Sequence, residues 1–135
     1  MIITDIKQID RIAEEAFGNT TDVISVDMND YAHIKEYSES LKAIMLEAPL
    51  LTENLVPSLD EAICEAGSED INNVLLYIKC NAAGVFSLTI EQVNLLIEAL
   101  NNHIGVANIV WGVGEGDKND ENVSIIILLG YGNRE

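Results

Sequence analysis

The sequence predicts an α/β chain: a two-layer α+β arrangement in which a four-stranded mixed sheet is backed by helices. Three observations carry that expectation. Two nearly continuous apolar runs, at 74–80 (VLLYIKC) and 123–129 (VSIIILL), are too short for buried helices and rich in residues that suit strands. Stretches with apolar residues three and four apart alternate with them. The alternation of helical and extended segments points to a sheet layered with helices. With 135 residues, 48% of them hydrophobic, the chain has enough apolar material for one compact domain.

Thr4 can cap a first helix. Ile6, Ile9, Ile12, Ala13, Ala16 and Phe17 fall on one of its faces, and Gly18-Asn19 stops it. Residues 1–22 then form an N-terminal helix and connector, and residues 23–135 the sheet domain. The apolar run Val23 to Val26 ends in Asp27 and Asp30. Asp27 stands where a helix cap would stand, and Asp30 falls in the first turn, where the helix dipole favours an acid. A helix is expected from about Asp30 to Tyr37. The same two carboxylates could instead serve a cation or a water.

Residues 41–48 (LKAIMLEA) suit a helix by propensity, but they also alternate as a half-buried strand would. Pro49 ends the segment in either case. Ser58 and Glu61 make a capping box after Pro57. Leu59, Ala62, Ile63 and Ala66 then supply an apolar face, and Gly67 is the stop. The run 74–80 reads as a central strand covered on both faces. Thr89 and Gln92 open a long helix whose Ile90, Val93, Leu96, Ile97 and Leu100 face the core. Residues 106–113 (VANIVWGV) are the next strand, expected parallel to 74–80 through a right-handed crossover. Residues 114–122 form an acidic loop. The strand 123–129 is expected to pair antiparallel with 106–113 across it, and Gly130-Tyr131-Gly132 leaves the sheet.

The formal charge of −16, from 23 acids and 7 bases, argues against nucleic acid and against anionic membrane surfaces. No apolar run is long enough to insert in a membrane, and the start has no basic segment leading into an apolar one. Cys64 and Cys80 lack metal spacing and read as small buried thiols, in keeping with a reducing cytoplasm. Gly112, Gly114 and Gly116 are a weak match to a phosphate loop, because they join two strands and sit beside Glu115 and Asp117. Asp117, Asn119 and Glu121 begin like a calcium loop, but Asn122 replaces the turn glycine and the distal Glu is missing. No metal site is expected. His33 and His103 read as surface or helix-end residues, and Trp111 as core or interface. No enzyme is declared by motif.

Taken together, VLLYIKCNAAG (74–84), SLTIEQVNLLIEAL (87–100) and NIVWGVGEGDKNDENVSIIILLGYG (108–132) resemble the C-terminal domain of FtsZ, the bacterial tubulin-like division protein. The shared pattern is an apolar strand, an Asn or Gly break, and a helix with an early Glu, here Glu91. An Ile-rich strand ending near Trp-Gly follows, then an acidic loop and an apolar strand ending in Gly. The family's catalytic loop, Asn-x-Asp-Phe-x-Asp, is matched by Ser25-Val26-Asp27-Met28-Asn29-Asp30. Asp27 and Asp30 keep the two acids, Ser25 replaces the Asn, and Met28 the Phe. The resemblance spans about residues 5–132. It implies that helix 5–17 is the end of the family's core helix, and it favours a strand at 41–48. It further implies a stand-alone activation half without the GTP-binding domain. Such a chain would bind no cofactor by itself and would meet GTP only through a partner. The partner would be a tubulin-like GTPase, or a second copy in a homo-oligomer. Three roles stay open: a non-enzymatic assembly module, a donor of Asp27 and Asp30 in trans to a partner's GTPase site, or, apart from the resemblance, an unrelated use of the fold as a small ligand-binding protein or oligomeric enzyme.

Overall fold

A computed structural model describes residues 2–17, 28–49, 52–67, 69–80, 90–104, 108–115 and 122–132. The elements run β1 (Ile2–Ile3), α1 (Ile6–Phe17), α2 (Met28–Tyr37), β2 (Ser40–Pro49), α3 (Thr52–Ala66), β3 (Ile71–Cys80), α4 (Ile90–Ile104), β4 (Asn108–Glu115) and β5 (Asn122–Tyr131). The strands form one mixed sheet in the order β1-β2-β5-β3-β4. The apolar run Val23 to Val26 lies outside the described residues.

The sheet has five strands instead of the expected four. Ile2 and Ile3 pair antiparallel with Ile44 and Ala43, adding a two-residue strand at the edge. It is also covered on both faces, which makes three layers where two were expected. On one face α3 and α4 pack Leu59, Ile63, Leu96 and Leu100 against Ile44, Val74, Leu76, Ile78, Ile125, Ile127 and Leu129. On the other, α1 and α2 pack Ile9, Ala13, Tyr31 and Ile34 against Leu41, Ala43, Leu75, Tyr77 and Leu128. Successive strand residues alternate between these clusters, as the pleat requires. A bulge between Ile71 and Asn73 resets the alternation at the start of β3.

The expected hairpin of the last two strands does not form. β5 is separated from β4 by β3, and it pairs antiparallel with β2 over Ser40 to Pro49 and with β3 over Ile71 to Lys79. β4 pairs parallel with β3 alone. The reason lies in composition. A central strand must be apolar on both faces, and β5 buries Ile125, Ile127, Leu128 and Leu129, whereas β4 leaves Val110 exposed. β3 is central, as its apolar run predicts, and Val74 through Ile78 are all buried.

Residues 41–48 are strand. Ten residues of β2 pair with β5, and that ladder outweighs their helical propensity. α3 begins at Thr52, earlier than the Ser58 capping box suggests, and Pro57 lies inside it. Pro57 is exposed, and its ring removes one hydrogen bond from the helix. Gly67 closes α3 as expected. It takes φ of 90°, and its N–H donates to the Ile63 carbonyl at 2.9 Å. Lys42 Nζ donates to the Ala66 carbonyl at 2.5 Å, and the Tyr131 hydroxyl to the Gly67 carbonyl at 2.8 Å. Both side chains come from the sheet, so they fasten the end of α3 to it. Burial pushes the Tyr131 hydroxyl above the ordinary tyrosine value. Tyr131 therefore belongs to β5 and does not lie beyond it, and Gly130 likewise pairs within the strand.

Candidate functional site

α2 positions the acids singled out by the sequence. Its first residue is Met28, and Asp30 falls in its first turn. Ser25 and Asp27 lie outside the described residues, so only Asp30 of that set is placed by the structure. Two side chains orient the helix. Tyr31 and Ile34 are each 3% exposed and pack over Leu75, Tyr77 and Leu128. Their neighbours Asp30 and His33 are thereby turned toward the flank of the helix.

That flank borders a cleft of about 320 Å³ lined by Asp30, His33 and Ile34 of α2, Asn73 and Val74 of β3, and Asn108, Ile109 and Val110 of β4. It lies at the start of β3 and β4, where α2 stops short of the outer strand. It collects a carboxylate, an imidazole and two amides. Asn73 is among the few buried polar residues, at 8% exposed. The sequence marked Asp30 but gave no reason to join it with Asn73 and Asn108. Those come from strands far along the chain, and their meeting depends on the parallel pairing of Asn73 with Asn108.

Behind the site, α1 and α2 are clamped. The Tyr31 hydroxyl donates to Asp10 Oδ1, and Lys35 Nζ donates to the same carboxylate at 3.0 and 3.2 Å. The Tyr31 hydrogen bond, opposed by partial burial and aided by Lys35, holds the Asp10 carboxyl below its ordinary value. Burial foremost, and then Asp10, push the Tyr31 hydroxyl well above the usual tyrosine range. On the opposite face His103, in the last turn of α4, meets Asp60 of α3 at 2.8 Å. His33 stacks on Tyr37 with centroids 4.6 Å apart. Both histidines thus sit at the surface or helix end, as their spacing implied.

One sequence expectation changes here. Cys64 is free and exposed, not buried. It follows Ile63, and one helical step turns it away from the core face. Cys80 closes β3, but its side chain lies outside the described set. Gly112 and Gly114 are residues of β4, and Gly116 lies outside the described residues. The calcium-like spacing at 117–121 falls outside the described residues. Trp111 is partly buried against the α3/α4 cluster. A second cleft, of about 430 Å³, lies between α1 and the sheet. Ile12, Ala16, Met45, Tyr77 and Ile126 make it mostly apolar. Among the described residues no helix is long and apolar enough to cross a membrane.

No family model matches the sequence, and no curated protein matches it. Solved structures do. An FtsZ dimer from M. jannaschii matches with a TM-score of 0.64 and 13% identity, covering 93% of this chain and 40% of that one. GDP-form protofilaments of Bacillus thuringiensis serovar israelensis TubZ match with a TM-score of 0.70 and 13% identity, covering 96% of this chain and 34% of that one. A GTPγS-bound protofilament of CetZ2 from Haloferax volcanii matches at 0.53 and 14% identity, over 82% of this chain and 34% of that one. The chain thus spans well under half the length of the structures it matches. The chain has the fold of a single FtsZ/tubulin-like domain.

Proposed function

We propose that this chain is an assembly module that docks on a tubulin-like GTPase, or on its own kind, and alters polymerisation. The observation that carries the reading is the match itself. The chain aligns over 96% of its length with a TubZ protofilament protein and spans 34% of it, and this shared fold supports a role in contact with such a polymer. Fold alone does not fix function, so the reading rests on assay. Purified protein added to a polymerising tubulin-like GTPase from the same cell should change the extent or rate of assembly, read by light scattering and pelleting. Unchanged polymerisation across a range of ratios, together with no pelleting of the chain, refutes it.

A second reading is supported by Asp30, which lies in the first turn of α2 and borders a cleft. Here Asp27 and Asp30 would complete a partner's hydrolytic site, the carboxylates orienting the attacking water while the partner holds the nucleotide. Stimulation of the partner's GTP turnover should then fall by about a hundredfold or more in the Asp27→Ala/Asp30→Ala variant. Undiminished stimulation removes the catalytic role and leaves the docking role standing.

A further inference from the structure

The two edges of the sheet are built differently. β2 carries β1 against Ala43 and Ile44, and along its length it bears Lys42, Glu47 and Pro49. A short covering strand, charges and a proline are devices that keep an edge from pairing with another chain. The opposite edge has no covering strand among the described residues and no proline, and its single charge is the terminal Glu115. β4 is eight residues long, and from Asn108 through Gly114 it contains no charge and no proline. One side of β4 is paired with β3, and among the described residues no strand covers the other. α1 and α2 cover β2, β5 and β3 but leave β4 open, so Val110 is 40% exposed on that face. Trp111 is only partly buried on the other. The edge thus offers an unused backbone ladder with an apolar side chain on each face.

We propose that β4 pairs antiparallel with β4 of a second copy about a two-fold axis, joining two five-stranded sheets into one of ten strands. Charge decides the occupant. A basic partner would be met by an acidic lining, which a chain with 23 acids could readily place there. Instead the outer strand is uncharged over seven consecutive residues. A contact between two bodies of −16 each can form only where like charges do not face one another, and this edge meets that condition. Antiparallel pairing of identical strands is self-complementary, so the contact closes at two copies. Asn108 and Val110 also border the Asp30 cleft, but the pairing is inferred from the uncharged edge and not from the role assigned to Asp30.

Sedimentation velocity over a concentration series, at about 0.02 M and about 0.5 M NaCl, tests the pairing. The expected result is a monomer–dimer equilibrium that strengthens with salt, because screening relieves the repulsion between two acidic bodies. Val110→Lys should weaken the dimer by at least about tenfold, since it places like charges across the two-fold axis. Asn108→Lys, also at an exposed position, should do the same and provides the reading if Val110→Lys does not fold. Met45→Lys, on β2 near the guarded edge, should leave the dimer unchanged. Amide exchange in residues 108–115 should slow on dimerisation. A monomer under all conditions overturns the proposal, as does a dimer that weakens with salt, that survives both β4 variants, or that Met45→Lys disrupts equally.

Discussion

Tyr31 is the residue on which the two helices of one face meet. Its ring fills the core over Leu75 and Tyr77, and its hydroxyl reaches Asp10 of α1. Lys35 also binds that carboxylate, but both groups are well exposed, so water screens the ion pair and it adds little. Tyr31→Phe should keep the packing and lose the hydrogen bond, lowering unfolding free energy by about 1–2 kcal/mol in urea titrations near neutral pH. The dependence on pH follows from the two shifts. Asp10 is held below its ordinary value of 3.8, so its contribution is present above that value and fades as acid protonates the folded carboxylate. Tyr31 is pushed above its ordinary 10.0, so its contribution is present below that value and fades in stronger alkali. The difference between wild type and Tyr31→Phe should therefore be flat through neutrality and shrink at both extremes. A difference that peaks in acid would contradict the clamp. From sequence, Tyr31 looked like one more residue after a capping acid. Its partner is twenty-one positions away, and helical periodicity alone cannot predict a contact between helices.

Between elements, one tight join is where the chain leaves α2 for β2. Ser38 is buried, and its Oγ has no hydrogen-bond partner among the described residues. It lies against Gly130 of β5, where a Cβ would collide with Ser38 Oγ and crowd Ile34 Cγ2 at 3.2 Å. Gly130→Ala should cost about 1–3 kcal/mol, read by thermal or urea unfolding. Ser38→Ala removes an unsatisfied hydroxyl and should raise stability by about 1 kcal/mol. In the double variant the cost of Gly130→Ala should shrink, because the colliding oxygen is gone, and a cycle of the four proteins measures that coupling. Costs that simply add would show that the two sites do not touch in solution. The helices themselves were legible in the sequence. α1, α2 and α4 begin and end within a few residues of their periodic stretches, and Gly67 stops α3. The start of α3 was not, because Ser58 and Glu61 mimic a cap inside a helix that already runs. For β2, propensity and alternation disagreed. The ladder to β5 that settles the matter joins segments about eighty residues apart.

At the scale of the whole molecule, charge works against compactness. With 23 acids against 7 bases, like charges crowd the surface of a small body. The melting temperature should rise by several degrees as NaCl goes from about 0.02 to about 0.5 M, with most of the gain at the low end, where screening length changes most. An unchanged or falling melting temperature would mean that the acids are already neutralised by neighbours or bound cations. The sheet's strand order was the part the sequence hid. β4 and β5 are neighbours in the chain and both apolar, so a hairpin looked natural, yet β5 belongs between β2 and β3. The parallel pairing of β3 with β4 that brings together the two amides of the Asp30 cleft was expected, but helical periodicity gave no sign that α2 packs beside them. Strand order also constrains synthesis. β5 supplies the shared partner of β2 and β3, so while it is still inside the ribosome both strands present bare edges. Chains arrested before residue 122 should therefore aggregate or recruit chaperones, and release of residues 122–131 should let the sheet close in a single late step.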